Sequence, residues 1–311
     1  MQIICTGASG LVGYNFINAA LERGHKVLAL HNSNDLPDLK NLEKLRCDLS
    51  NIGQIQRLIL DRFPDAIVNC AAISSPAVVD VNPQYAQNIN VILPEKLAEL
   101  AYHVGSRFLH LSSDLVFDGT VAPYKNTDIP MPLNLYGQMK LLAEKNILKA
   151  AAPVSVVLRI THVCGNGLMQ NRSLNEKLFL DWASGKKVQC PTNDIRQYSS
   201  AKNIADLLVE LCERQSITGL HHFCGKDAFS KFDMAKLIAQ HFELNSEELI
   251  EPITIKEDLD FRLDCSDLEG KVKTRRFEID EILSEMRIPD ACVSWYEGKG
   301  KKMPIKRFKL D

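Results

Sequence analysis

No apolar run in this chain approaches the roughly 20 residues needed to span a bilayer, so no membrane partner is expected. C-x-x-C spacing is also missing. The 9 cysteines are odd in number and scattered singly from Cys5 to Cys292, which argues against a disulfide framework or a thiolate zinc site and for reduced thiols in the cytoplasm. Neither sign of charge is in excess, with 37 Lys and Arg against 39 Asp and Glu and a net charge of −2, and no basic stripe carries interleaved aromatics. A nucleic-acid partner is therefore not expected. The first residues, Met1-Gln-Ile-Ile-Cys-Thr-Gly7, have no basic n-region or long apolar h-region, and read as a strand entering a turn rather than a signal peptide. Internal repeats and low-complexity linkers are lacking too. His221-His222 resembles a metal pair only superficially, because neighbours on a strand face opposite sides and no acidic or thiolate cluster completes the set; no metal is expected.

What is present starts at the first strand, Ile3-Ile4-Cys5, which runs straight into Thr6-Gly7-Ala8-Ser9-Gly10-Leu11-Val12-Gly13. That turn opens a helix from Leu11 to Arg23, closed by Gly24, and Lys26 to His31 follows as a second strand. Glycines at 7, 10 and 13 let the backbone turn sharply and let a pyrophosphate approach the free N–H groups of the helix N-terminus, where the dipole favours an anion. In a strand–turn–helix setting this spacing points to a dinucleotide. The second strand ends in His31-Asn32-Ser33-Asn34, with Asp35 arriving late. Neutral or cationic groups accept a 2′-phosphate better than a carboxylate does, so NADP(H) is favoured over NAD(H) unless the loop folds back to present Asp35.

The alternation of strand and helix continues. Leu42 to Leu49 reads as a third strand whose Asp48-Leu49 end suits an adenine amino group, or equally a surface aspartate before a helix that Ser50 caps. Helical spacing over Ile52 to Phe63 precedes an apolar strand, Ala66 to Ala72, whose Ala71-Ala72 end leaves room for ribose and phosphate. A long helical region from Pro83 to Val104 contains Asn88, Asn90 and Pro94, the last of which should kink or restart it. Strand 107–113, helix 136–150 and strand 154–160 complete the run. The fold class is therefore α/β, a doubly wound parallel sheet with ligands outside the C-terminal ends of the strands. After Gly165 the pattern becomes irregular, with helices at Leu174–Ser184 and Ala201–Arg214 and a short strand near His221–Cys224. Residues 1–165 with about 199–216 are read as the dinucleotide-binding domain, and 166–198 with 217–311 as a smaller α/β substrate-binding lobe. Lys299, Lys301, Lys302, Lys306, Arg307 and Lys309 read as a solvated tail, or more sharply as a grip on an anionic substrate or partner.

Chemistry concentrates between Ser112 and Lys140. The strand Arg107–Ser113 ends in small hydroxyls and a carboxylate, and Tyr136 and Lys140 lie four residues apart on one helical face. An ammonium near a phenol favours the phenolate and lowers a pKa that is otherwise about 10. A serine hydroxyl at the strand end can hold a substrate oxygen beside the same phenol.

Together, Gly7-x-x-Gly10-x-x-Gly13, Asp48-Leu49, Asn69-Cys-Ala-Ala72, Asn90, Ser113 and Tyr136-x-x-x-Lys140 resemble an extended short-chain dehydrogenase/reductase. Within that superfamily, Ser112-Ser-Asp-Leu-Val-Phe-Asp-Gly-Thr120, Pro132-Leu-Asn-Leu-Tyr-Gly-Gln-Met-Lys140 and Val157-Leu-Arg-Ile-Thr161 are similar to the dTDP-4-dehydrorhamnose reductase branch, which reduces a 4-keto nucleotide sugar with NAD(P)H. The resemblance implies a nucleotide-sugar substrate and leaves a homodimer open. It makes Tyr136 the proton donor and Ser113 its hydrogen-bonding partner. Lys140 would hold the nicotinamide ribose and lower the phenol pKa, and Asn90 would support Lys140. Two segments depart from the pattern: Thr161-His-Val163 stands where that branch usually has an aromatic, and Cys190-Pro-Thr-Asn-Asp-Ile-Arg196 alters a substrate-lobe motif. Arg172, Arg196 and Arg262 are candidates for a diphosphate grip. Other readings are a nucleotide-sugar epimerase of the same superfamily and a non-catalytic NADP-binding regulatory subunit resembling the methionine adenosyltransferase β subunit. Elimination of the dehydratase type is disfavoured, since Asp114 is followed by Leu115 and not by glutamate.

Overall fold

In the computed structural model, which describes residues 1–300, the apolar runs become a parallel sheet. Strands β1 (Gln2–Thr6), β2 (Lys26–His31), β3 (Leu42–Arg46), β4 (Ala66–Asn69), β5 (Arg107–Ser113) and β6 (Ser155–Ile160) are joined by helices α1 (Leu11–Glu22), α2 (Ile52–Arg62), α3 (Pro76–Val81), α4 (Pro83–Gln87), α5 (Leu93–Val104) and α6 (Leu135–Ala151). The later chain adds β7 (His162–Cys164), α7 (Leu174–Ala183), β8 (Val188–Pro191), β9 (Asp194–Ser200), α8 (Ala201–Glu213), β10 (Gly219–His222), β11 (Ala228–Ser230), α9 (Lys231–His241), β12 (Ile250–Ile253) and β13 (Leu259–Asp260). Seven strands form the main sheet in the order β10-β6-β5-β4-β1-β2-β3, every neighbour parallel. The order reverses at β1, which puts the crevice for a ligand beside its C-terminal end.

Alternation along the strands sorts their side chains onto two helical layers. Ile3, Cys5, Val27, Ala29, Leu109 and Val156 pack with α1 and α8, while Ile4, Leu28, Ile67, Phe108 and Val157 pack with α2, α5 and α6. A second cluster around Phe179, Trp182, Met234, Phe242 and Tyr296 builds the smaller lobe beneath β8, β9 and β11. No helix among the described residues is long and apolar enough to cross a membrane.

Several boundaries differ from the sequence expectation, each for a local reason. The strand read as 66–72 stops at Asn69, where the side-chain Oδ1 turns back to accept from the Ala71 N–H, so Ala71 and Ala72 lie in a loop. The third strand stops at Arg46. Asp48 and Leu49 follow in a turn where Asp48 Oδ1 accepts from Ser50 N and Oγ, and Asn51, not Ser50, caps α2. The helix expected over 83–104 is broken by a π-helical turn at Asn88–Ile92, and α5 restarts with Pro94 in its first turn, where a missing N–H does no harm. The segment 219–222 joins the large sheet beside β6 instead of the smaller lobe, and β7 leaves the large sheet to pair with β9. The basic residues from 301 onward lie outside the described residues.

Backbone approaches backbone closely at the turn from β10 into the smaller lobe. A Cβ on Gly225 would sit 2.1 Å from the Tyr198 carbonyl oxygen, whereas one on Gly53, in the first turn of α2, would meet only Asn51 Oδ1 at 3.8 Å. Gly225→Ala is expected to cost roughly 1–3 kcal/mol by overpacking. Gly53→Ala should gain up to about 0.5–1 kcal/mol through helix propensity. Urea unfolding of the two variants checks both signs.

Candidate functional site

At the C-terminal edge of the sheet the glycine turn is built by exclusion of side chains. Gly7 has φ 64, and a Cβ there would lie 2.6 Å from Ala71 N; one on Gly13 would lie 2.3 Å from Gly7 O. The end of β1, the first turn of α1 and the loop after β4 thus meet backbone to backbone. Helix α1 has Gly10 at its N-cap, no side-chain cap and no acid in its first turn. Its positive end is left to an outside anion, and Ser9, Leu11 and Val12 lie half-buried along the turn. These features fit the diphosphate of a dinucleotide.

Along the neighbouring strand ends, His31 is buried with an unpartnered Nδ1, and Asn32 is exposed beside it. Asp35 does fold back: its Oδ1 accepts from Leu36 N at 2.8 Å, lies 3.8 Å from His31 Nε2 and 3.7 Å from Lys44 Nζ. The Leu36 N–H and then the Lys44 charge lower its pKa. Asp48 is exposed, with Oδ1 occupied by Ser50.

Ser113 and Tyr136 are brought together through one tight contact. Gly137, whose N–H donates to the capping Asn134, would place a Cβ 2.0 Å from Leu115 O, so α6 presses directly on the turn that follows β5. This seats Tyr136 beside Ser113. The Ser113 hydroxyl donates to Asp114 Oδ1 at 3.0 Å, accepts from Leu115 N at 3.2 Å and is near enough to the phenol of Tyr136 to act on its pKa. Burial drives the phenol pKa upward, the Asp114 charge raises it further, and the Ser113 hydroxyl opposes them. The direction is opposite to the sequence expectation that Lys140 lowers it. The reason is where Lys140 points: its Nζ lies 3.0 Å from His110 Nε2, at the foot of the cleft.

Lys140 is only 1% exposed, and burial brings its pKa down to about 8 against the pull of Glu144 and Cys70. Glu144, one turn further along α6, is held by Arg159 Nε at 2.9 Å and Nη2 at 2.7 Å and accepts from Ser112. His110 is held well below its ordinary value by burial and by Lys140. Behind it, His110 Nδ1 lies 3.0 Å from Asn69 Nδ2, and Asn69 Oδ1 accepts from Thr6 Oγ1 at 2.5 Å. Asn90 uses both polar ends on the Ile73 backbone, at 2.9 and 3.0 Å, and so anchors the loop bearing Ala71 and Ala72.

Sequence reasoning missed His110, Asn69 and Thr6 as a connected set, and missed Asp114 with Arg196. Of the three arginines read as a diphosphate grip, Arg196 is spent internally: Nη1 donates to Asp114 Oδ2 at 2.8 Å, Nε to Asp194 Oδ1 at 2.9 Å, and the guanidinium stacks 4.2 Å from the Phe261 centroid. Arg262 pairs with Asp260, and Arg172 is exposed. His162, at the position where an aromatic was expected, sets its ring edge-on to Tyr198; burial and then Arg196 push its pKa down to about 3.

The chain resembles known proteins in sequence and in fold. The sequence profile of the RmlD substrate binding domain matches residues 1–261. The methionine adenosyltransferase 2 subunit beta of Xenopus laevis is 33% identical over 279 residues, covering 86% of this chain and 81% of that one. A hypothetical dTDP-4-dehydrorhamnose reductase from Sulfolobus tokodaii superposes with a TM-score of 0.79 at 26% identity, over 93% of this chain and 100% of that one. The dTDP-4-dehydrorhamnose reductase of Bacillus anthracis, solved in complex with NADP, shares the fold with a TM-score of 0.78 at 18% identity, over 91% of this chain and 95% of that one.

The Asp114–Arg196 pair ties the turn after β5 of the large sheet to β9 of the smaller lobe, and both side chains are less than a tenth exposed. Arg196→Met is expected to cost about 3–5 kcal/mol, since a buried carboxylate loses its partner. Burial already raises the Asp114 pKa, so in this variant the carboxyl takes up a proton on acidification and the deficit shrinks as pH falls. Adding Asp114→Asn should recover part of the loss at neutral pH. Denaturant unfolding at several pH values measures all three.

Proposed function

Because the chain belongs to the extended short-chain dehydrogenase/reductases, in their RmlD-like branch, we propose that it is an NAD(P)H-dependent reductase acting on a keto group of a nucleotide-linked sugar. The observation that carries this is the buried Tyr136 phenol, seated beside Ser113 by the Gly137–Leu115 contact, at the sheet edge that also holds the glycine turn. A reduced nicotinamide bound over that edge supplies a hydride.

The chain's own part is to handle the proton. A raised phenol stays protonated at neutral pH, and a developing alkoxide is more basic than a phenolate, so Tyr136 gives up its proton as charge appears on the substrate oxygen. Ser113 has one proton and two claimants. While the phenol is neutral the Ser113 O–H is donated to Asp114; as phenolate forms it is better donated to the tyrosine oxygen. Lys140, at about 8, is mostly charged at pH 7 and is the group we assign to supply a replacement. Asp114 is bound to Arg196 and so is not free to act as a separate acid, which sets this site apart from elimination chemistry.

NADPH is the proposed cofactor over NADH. Asp35 folds back, which by itself favours NADH, but its Oδ1 is taken by the Leu36 N–H and lies 3.7 Å from Lys44 Nζ, and the buried His31 beside it has an unpartnered Nδ1 that suits a 2′-phosphate. All nine cysteines are free, which suits a reducing compartment such as the cytosol. A second reading has a specific observation behind it: the 33% identity to a subunit named for methionine adenosyltransferase. On that reading the chain binds the dinucleotide and acts on a partner enzyme.

Tyr136→Phe should lower turnover of a 4-keto nucleotide sugar by about 10²–10⁴-fold while leaving NADPH affinity near wild type. Near-normal turnover would remove the phenol from the reaction. Asp35→Asn should tighten NADPH more than NADH; an effect on NADH alone would reverse the cofactor preference. If no keto sugar drives NADPH oxidation, yet the protein changes the methionine KM of a methionine adenosyltransferase, the second reading holds.

A further inference from the structure

Thr6, Asn69 and His110 stand in register on three adjacent strands, on the face that α6 covers. Counting donors and acceptors along that row fixes more than position. The Ala71 N–H can only donate, and it meets Asn69 Oδ1 at 3.3 Å, while Thr6 Oγ1 meets the same oxygen at 2.5 Å. The amide NH₂ of Asn69 therefore faces His110 Nδ1 at 3.0 Å, and Nδ1 must accept. A neutral imidazole that accepts at Nδ1 carries its proton on Nε2, which is the atom 3.0 Å from Lys140 Nζ. That bond can form only to a free amine. When Lys140 is an ammonium, Nε2 must accept, the ring proton moves to Nδ1, and two donors confront each other at Asn69.

We propose that His110 is a positioning residue, and that its tautomer, biased by Asn69, sets how readily Lys140 gives up its proton. Two arrangements compete: a free amine with the Asn69–His110 hydrogen bond in place, and an ammonium with that hydrogen bond broken. His110, Asn69 and Lys140 are each about 1% exposed, so water cannot easily relieve the conflict. The other groups facing the lysine act the other way. Glu144 on α6, itself paired with Arg159 of β6, and Cys70 on the loop after β4 both favour the charged form. Burial and the His110 N–H are what favour the amine.

In the kinetic setting this rests on the reductase reading, but the ring itself can be watched without substrate. Long-range proton–nitrogen spectra of ¹⁵N-histidine-labelled protein, followed from about pH 6 to about pH 10, report which ring nitrogen of His110 is protonated, with His110→Gln identifying the resonance. The wild type should show Nε2–H at the alkaline end and Nδ1–H at the acid end, exchanging near the Lys140 pKa of about 8 without forming an imidazolium. In Asn69→Asp, a carboxylate accepts from Nδ1–H and should hold that tautomer throughout. In Lys140→Met the Nε2–H form should persist throughout. A single tautomer in the wild type across the whole range, or a doubly protonated ring, overturns the proposal whether or not any keto sugar is reduced. If the reductase reading holds, the rate should fall as pH rises through the lysine pKa, and Asn69→Asp should move that limb upward by about one pH unit. A uniform loss of kcat with the limb unmoved would mean that the row is only structural.

Discussion

A lysine buried to 1% exposure has no solvent to share its charge, and the surroundings of Lys140 are arranged around that fact. Parallel register aligns Thr6, Asn69 and His110 of β1, β4 and β5 as a continuous hydrogen-bonded row beneath the amine. One helical turn away, Glu144 supplies an opposite charge and is itself neutralised by Arg159 from β6. The amine can therefore sit at the foot of the cleft in either protonation state. Were any of these partners apolar, a buried donor or acceptor would be stranded at a cost of about 1–3 kcal/mol.

The second buried pair works on the phenol. Asp114 is fixed by Arg196, which reaches from β9, and the carboxylate so placed helps to hold Tyr136 in its protonated form. Ser113 lies between them, and its single O–H, donated to the carboxylate, can be redirected to a phenolate. The two lobes are thus joined at the point where the proton is managed, and the smaller lobe contributes through Arg196 to the acidity of a group on α6. A phenol raised by burial suits the giving of a proton to an alkoxide, and so suits reduction.

Much of this is legible in the chain alone. The glycine turn can be read because spacing and position carry the mechanism, and Gly7 and Gly13 do stand where a Cβ would strike backbone. Ser113, Tyr136 and Lys140 are recognisable by type and interval, but the seating of Tyr136 beside Ser113 depends on Gly137, whose close approach to Leu115 no periodicity reports. His110 is hidden because it sits inside an apolar strand and reads as one more buried position. Arg196 is visible only as a cation, and pairing across 82 residues with Asp114 leaves no local mark. The direction of the Tyr136 shift escapes the sequence for a related reason: helical spacing places Lys140 on the right face but does not say that its amine turns down to His110. The strand at 219–222 is too short to show a period, so its place beside β6 comes from packing alone.

The most direct measurement follows the hydride. Given NADPH deuterated at the nicotinamide C4 and a 4-keto nucleotide sugar, the protein should return a sugar alcohol carrying one deuterium on the new carbinol carbon, read by mass spectrometry of the isolated product. A protein that binds the dinucleotide and leaves every keto sugar of such a panel unreduced and unlabelled would not be a reductase of this kind.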